Sequence, residues 1–237
     1  MSELNIDKYP NYRTQFDADL LAFVEQFVFE DRKATLKKMI NMRTQYLTFV
    51  AEQLLDEHNV YAIVRTSECY GLQDFYNIPF DKALKKNRTI TRGAFNWSHI
   101  YNYPQPETTV NCIKDLKSKG YRVFTTSSHF DSAILPHEVP LDKPIAVVLG
   151  NEHRGASEEA IALADGFLKI PMYGFTESYN VSVAAALIGY PIIQKIRESD
   201  VSWGLSEIQK RDLYFEWIWH SIKNPDKVFA EWKNNRE

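Results

Sequence analysis

The chain has 237 residues, of which 44% are hydrophobic, and its 28 Lys and Arg against 31 Asp and Glu leave a formal charge of −3. That composition fits one large globular domain or a domain with extensions, and no apolar run is long enough to span a bilayer. It also excludes a chain that clings to nucleic acid over its whole surface, because counterion release needs Lys and Arg gathered where phosphates lie.

In chain order, residues 1–11 read as irregular, and their polar character does not match a secretory signal. Residues 16–29 carry apolar side chains at helical spacing, with Asp17 and Asp19 at the start where the helix dipole favours them. Residues 35–58 read as a second long helix, open to interruption, outlined by Leu36, Met39, Ile40, Tyr46, Leu47, Val50 and Leu54. Residues 60–66 begin with hydrophobic alternation and run into a helix through Tyr70. Short strands are predicted at 75–78 and 100–103, a helix at 108–119 stopped by Gly120, and a strand at 122–126. The unbroken apolar run 144–149 predicts a buried parallel strand. Ser157 is placed to cap a helix over 157–164, with Glu158 and Glu159 in its first turn. A strand over 167–172, a polar turn and a helix over 181–190 capped by Ser178 or Asn180 complete the core. Small residues at Ser182, Ala185 and Gly189 would let that helix pack closely. The tail holds an aromatic helix after Ser206, broken at Asn224-Pro225, and a short final helix over 227–233.

Alternating strands and helices argue for an α/β domain with a mainly parallel sheet, flanked by N- and C-terminal helices. The division expected is a helical extension over 1–58, a core over 59–198 and a helical tail over 199–237.

Three places could carry chemistry. Gly150-Asn151-Glu152-His153-Arg154-Gly155 is a glycine-bounded polar turn between a buried strand and a helix, where ligands of α/β sheets bind. The dinucleotide G-x-G-x-x-G and the P-loop are both absent, so the turn suits a neutral purine or ribose better than a phosphate cradle. Arg65 is a lone cation in the apolar run Ala62-Ile63-Val64, where it is expected buried or half-buried and would need an anionic or hydrogen-bonding partner. It is either a structural ion pair with Glu68 or Glu152, or a working residue. The densest basic stretch, 82–92, contains Lys85, Lys86, Arg88 and Arg92 and is followed at once by Phe95 and Trp97. It is either a solvated loop or a site where phosphate contact and base stacking meet. Cys69 and Cys112 are too few and too far apart for a disulfide framework or a zinc site, and both are expected as reduced thiols in the cytoplasm. The histidines show no metal-ligand spacing, so no metal is expected.

Residues 59–71 (NVYAIVRTSECYG), 145–159 (IAVVLGNEHRGASEE) and 170–182, with Ile170-Pro171-Met172 and Ser178-Tyr179-Asn180-Val181-Ser182, resemble in order and separation the motifs of the SpoU branch of the SPOUT methyltransferases. Among these the likeness is to the tRNA guanosine 2′-O-methyltransferases. The resemblance implies a C-terminal deep trefoil knot and S-adenosyl-L-methionine as cofactor, held by Thr126, Leu149, Gly150, Ile170, Met172 and Tyr179. It implies ribose 2′-O-methylation of an RNA, tRNA above all, with Arg65 as the catalytic arginine and Asn59, Glu152, Ser178 and Asn180 beside it. Arg65 would act either as the base itself or through an adjacent phosphate. It further implies a homodimer in which Arg65 comes from one subunit and the cofactor loops from the other. Rival readings are the same chemistry on another nucleotide or on rRNA, a catalytically silent RNA-binding relative, and a small-molecule α/β enzyme.

Overall fold

The computed structural model describes residues 17–80, 84, 91, 93–103, 108–126 and 131–235. In chain order its elements are α1 (Ala18–Glu25), α2 (Glu30–Ile40), β1 (Leu47–Glu52), α3 (Glu57–Cys69), β2 (Asp74–Ile78), β3 (His99–Asn102), α4 (Thr108–Ser118), β4 (Arg122–Thr126), β5 (Ile145–Leu149), α5 (Glu158–Leu163), β6 (Gly166–Leu168), α6 (Val181–Glu198), α7 (Glu207–Ser221) and α8 (Pro225–Asn234), with short 3-10 turns at Ala94–Asn96 and Pro136–Glu138. They fall into two compact units.

The first unit includes Thr44–Trp203 and holds a six-stranded sheet in the order β3-β2-β1-β5-β4-β6. Every pairing in it is parallel. Parallel strands must be covered on both faces, and both are. On one face Phe49, Val147, Leu149 and Phe124 meet Ile63 and Val64 of α3 and Ile188 and Ile192 of α6. On the other, Val50, Val148 and Val123 meet Cys112, Ile113 and Leu116 of α4 and Ala160 of α5. After β1 the chain moves outward to β2 and β3, and it later returns to β5 on the other side of β1. The carboxyl ends of β1 and β5 therefore flank the point where strand order reverses, the usual ligand crevice of open α/β sheets.

Helix α6 explains its own small residues. A Cβ on Gly189 would stand 2.6 Å from a ring carbon of Tyr70 and 2.9 Å from Cζ of Phe49. Tyr70 donates its hydroxyl to the carbonyl of Ala186 at 2.9 Å. The second unit is helical: α2 packs on α7, and α1 packs on α7 and α8. Tyr214 donates to Glu25 Oε1 at 2.5 Å, and the Arg43 guanidinium lies over the Trp217 ring at 5.3 Å. Among the described residues no helix is long and apolar enough to cross a membrane.

The predicted helix over 35–58 is corrected to the end of α2, the central strand β1 and the start of α3. A strand buried on both faces shows no alternation, and β1 is buried at every position, so its apolar run merges into the stripe of the helix before it. The parallel-sheet unit consequently begins near Thr44, ahead of the expected boundary at 59. The expected alternating start at 60–66 is helix throughout, capped by Asp56, which accepts from His58 N at 2.8 Å. Strand β6 stops at Leu168, short of the expected 172. Beyond it Lys169 N pairs with the carbonyl of Ile134, and Pro171 has no amide to offer. Helix α6 runs through Pro191 to Glu198, because Ile192, Ile193 and Ile196 continue its buried stripe.

Candidate active site

Three loops meet at the carboxyl ends of β1 and β5. The first is the turn from β1 into α3. The second follows β5, where Gly150 is obligatory: a Cβ there would stand 2.2 Å from the Ala156 nitrogen. Asn151 closes that turn, its Oδ1 accepting from His153 N at 2.9 Å and Arg154 N at 3.2 Å. Gly155, at φ +71°, completes it with its N–H on the Asn151 carbonyl at 2.8 Å. The third loop leads into α6, whose cap is Asn180 rather than Ser178, with Oδ1 accepting from Ser182 N at 2.9 Å and Ser182 Oγ at 2.6 Å.

One chain of hydrogen bonds joins the three. Asn180 Nδ2 donates to Asn59 Oδ1 at 3.0 Å, and Asn59 Nδ2 donates to Glu152 Oε1 at 2.9 Å. Glu152 Oε2 accepts from Leu55 N at 3.0 Å. Asn59 thus uses both ends of its amide, which fixes the orientation of the group. Every donor in the series points toward the Glu152 carboxylate, so the bonds polarise one another. Burial acts to raise the pKa of Glu152, but the Leu55 N–H and the Asn59 amide outweigh it and hold the carboxyl below the usual range. Glu152 is therefore an ionised brace at neutral pH.

Asn59, Glu152 and Asn180, separate in the sequence, are brought together here. Ser178 is exposed and makes no hydrogen bond to a described residue. Arg65 departs from its expected burial. Within α3 the stripe Val60, Tyr61, Ile63, Val64 and Ser67 is buried, while Arg65 lies on the exposed face with His58 and Cys69. The linear apolar run is therefore not apolar around Arg65 in space. Among the described residues Arg65 pairs with neither Glu68 nor Glu152.

Leu149 and Gly150 are buried at the end of β5, Thr126 is half-buried at the end of β4, and Ile170 and Met172 are half-buried just past β6. The three strands are adjacent, so these residues line one end of the sheet. Tyr179 is 45% exposed. Lys85, Lys86, Arg88 and Arg92 lie outside the described residues. Phe95, expected as a stacking surface, is half-buried against Tyr61 of α3, ring centroids 6.0 Å apart, and belongs to the core. Burial pushes the Cys112 thiol well up, which makes it inert. The sequence does not single out Gln53 or Leu55, which bind the second loop through backbone atoms: the Gln53 carbonyl accepts from Asn151 Nδ2 at 2.6 Å. Backbone contacts leave no side-chain signature.

The profile of the SpoU rRNA Methylase family matches residues 46–190. The tRNA (guanosine(18)-2′-O)-methyltransferase of Borreliella burgdorferi is 33% identical over 204 residues, covering 86% of this chain and 92% of that protein. The crystal structure of the A. aeolicus TrmH/SpoU tRNA modifying enzyme superposes with a TM-score of 0.72 at 31% identity, covering 82% of this chain and 98% of that one. The SpoU methyltransferase AviRb from Streptomyces viridochromogenes, solved with AdoMet, shares the fold at a TM-score of 0.54 and 19% identity, over 68% of this chain and 62% of that one. The match spans β1 through most of α6 and so contains all three loops of the polar network; the chain belongs to the SpoU family of RNA methylases.

Proposed function

We propose that the chain is an S-adenosyl-L-methionine-dependent tRNA (guanosine(18)-2′-O)-methyltransferase. The observation that carries this reading is the bond series Asn180–Asn59–Glu152, which ties the family's three motifs into one polar site at the sheet's switch point. The relative from Borreliella burgdorferi, similar over most of both chains, supports the substrate.

The cofactor site is the end of β5, β4 and β6. Its set of atoms, backbone at Gly150 with the apolar Leu149, Ile170 and Met172 and the hydroxyl of Thr126, fits a neutral purine and ribose, and AviRb's complex with AdoMet supports it. When bound, S-adenosyl-L-methionine supplies the methyl group. Tyr179 closes over the site from the loop. Arg65, exposed and without a protein partner among the described residues, holds the phosphate next to the target ribose, and that phosphate helps take the 2′-OH proton. A guanidinium carries five N–H donors and no acceptor, which disfavours Arg65 as the base. Ser178 and Asn180 orient the ribose, and Lys85, Lys86, Arg88 and Arg92 meet the tRNA backbone.

The active unit is a homodimer. Helix α6 buries one face and leaves Val183, Leu187 and Tyr190 exposed on another, and the loop before it exposes Tyr173 and Phe175, apolar side chains that a second copy would cover. Arg65 of one subunit then serves the cofactor loops of the other. A trefoil knot is supported by the path after β6: the chain leaves the sheet edge and α6 returns over α3 and β1. The catalytic domain is Thr44–Trp203, with α1, α2, α7 and α8 as its extensions.

The test is methyl transfer from labelled S-adenosyl-L-methionine to unmodified tRNA, in chelator, followed by mapping of the product. A 2′-O-methyl mark at guanosine 18 is expected. A mark elsewhere in tRNA or only in rRNA replaces the substrate, and no transfer to any RNA overturns the reading.

A further inference from the structure

Glu52, the last residue of β1, is only 1% exposed, yet no cation among the described residues neutralises it. A buried carboxylate is costly unless its oxygens are fully engaged. Those of Glu52 are. Oε1 accepts from Thr109 Oγ1 at 2.7 Å and from Ser157 Oγ at 2.6 Å, and Oε2 accepts from Ser157 N at 3.0 Å. Thr109 stands in the first turn of α4, and Ser157 is the cap of α5, its Oγ also accepting from Ala160 N at 3.1 Å. Ser157 is also where the loop that starts at Gly150 ends. The near end of that loop is already held to the turn after β1 by Asn151 on the Gln53 carbonyl and by Glu152 on Leu55 and Asn59. Glu52 supplies the far anchor, so the loop is fixed at both ends from one short stretch, Glu52 to Asn59, which runs from the end of β1 into α3.

We infer that Glu52 is a positioning residue for the cofactor: it holds the loop Gly150–Ser157 in its binding shape through Ser157, without touching cofactor or RNA. This rests on the assignment of that loop to S-adenosyl-L-methionine. Loss of the anchor lets the loop sample other shapes, so affinity falls by the fraction of time it is competent, while the bound complex reacts at its usual rate.

The experiment is calorimetric titration of the full chain with S-adenosylhomocysteine, beside tRNA binding and single-turnover methylation at saturating cofactor. Glu52→Gln replaces one acceptor oxygen by an N–H donor, and Ser157→Ala removes one of the loop's two bonds. Thr109→Val removes only the α4 bond and leaves both loop bonds. Expected for Glu52→Gln is a loss of about tenfold in cofactor affinity, with a smaller loss for Ser157→Ala. Thr109→Val keeps parental cofactor affinity. In all three, tRNA affinity and single-turnover rate stay within about twofold. Should Glu52→Gln fail to fold, Ser157→Ala carries the same comparison with Thr109→Val. Parental cofactor affinity in both loop variants, or an equal loss in Thr109→Val, overturns the inference. No binding by the parent protein instead overturns the cofactor assignment on which it rests.

Discussion

At the scale of single residues, the site separates into a fixed part and an available part. Asn59, Glu152 and Asn180 are tied to one another by hydrogen bonds, whereas Arg65 is exposed. A guanidinium holds a phosphate by two parallel bonds that an ammonium cannot reproduce. Arg65→Lys is therefore expected to keep cofactor affinity and lose on the order of 10²–10³ in single-turnover methylation. Near-parental turnover would move the catalytic assignment elsewhere. Glu152 gives a pH test. Its folded pKa lies below the ordinary value, so its contribution to stability is fully present above about pH 4.3 and is lost as pH falls through the folded pKa. Urea midpoints of the parent and Glu152→Gln should differ at pH 7 and converge as the solution is acidified below pH 4. A gap that is constant with pH would mean that charge plays no part in the brace. These polar residues were legible because the motifs name them. The burial of Arg65 was misread because a helix turns a linear apolar run into a stripe, and position 65 falls off the stripe.

At the scale of elements, most strands and helices could be read from apolar runs, caps and the left-handed Gly120, at φ +88°. Asp17, Ser157 and Ser206 all cap the helices that follow them. The central strand β1 could not, since Leu47–Glu52 has no glycine or proline to set it off and no solvent-facing side to give it a regular period of two. The packing of α6 was legible in its small residues, and Gly189 is where the fit is tightest. Gly189→Ala is expected to cost about 1–3 kcal/mol, because the new methyl meets Tyr70 and Phe49 from α3's end and β1. Gly174→Ala has its nearest neighbour at 4.0 Å and should stay within about 0.5 kcal/mol of the parent. Chemical denaturation of the two variants reads the difference directly. Equal midpoints would show that α6 shifts freely to admit the methyl.

At the scale of the whole molecule, the proposed sharing of sites can be tested by mixing. An Arg65→Ala chain and an Asn180→Ala chain are each expected to be nearly inactive alone. In a reassociated mixture a mixed dimer places both lesions in one site and leaves the other intact. Activity should return to the order of a quarter of the parent's, given random pairing of identical interfaces. No recovery, with mixed dimers present by mass, would mean that each site is built within one chain.

The pairing of β1 with β5 also has a consequence in time. Leu47–Ala51 lies in register with Ile145–Leu149, and nothing between them in sequence occupies that edge of β1. A chain growing from the ribosome at about 5–20 residues per second carries β1 with one edge open for several seconds before its partner exists. Strand β1 is mostly apolar and is buried at every position in the finished fold, so that open edge is a hazard for aggregation during synthesis. The same long-range closure places this protein among slow folders by topology. Because the proposed catalytic crevice lies at the end of this β1–β5 pair, it cannot begin to assemble until that last central strand has been made.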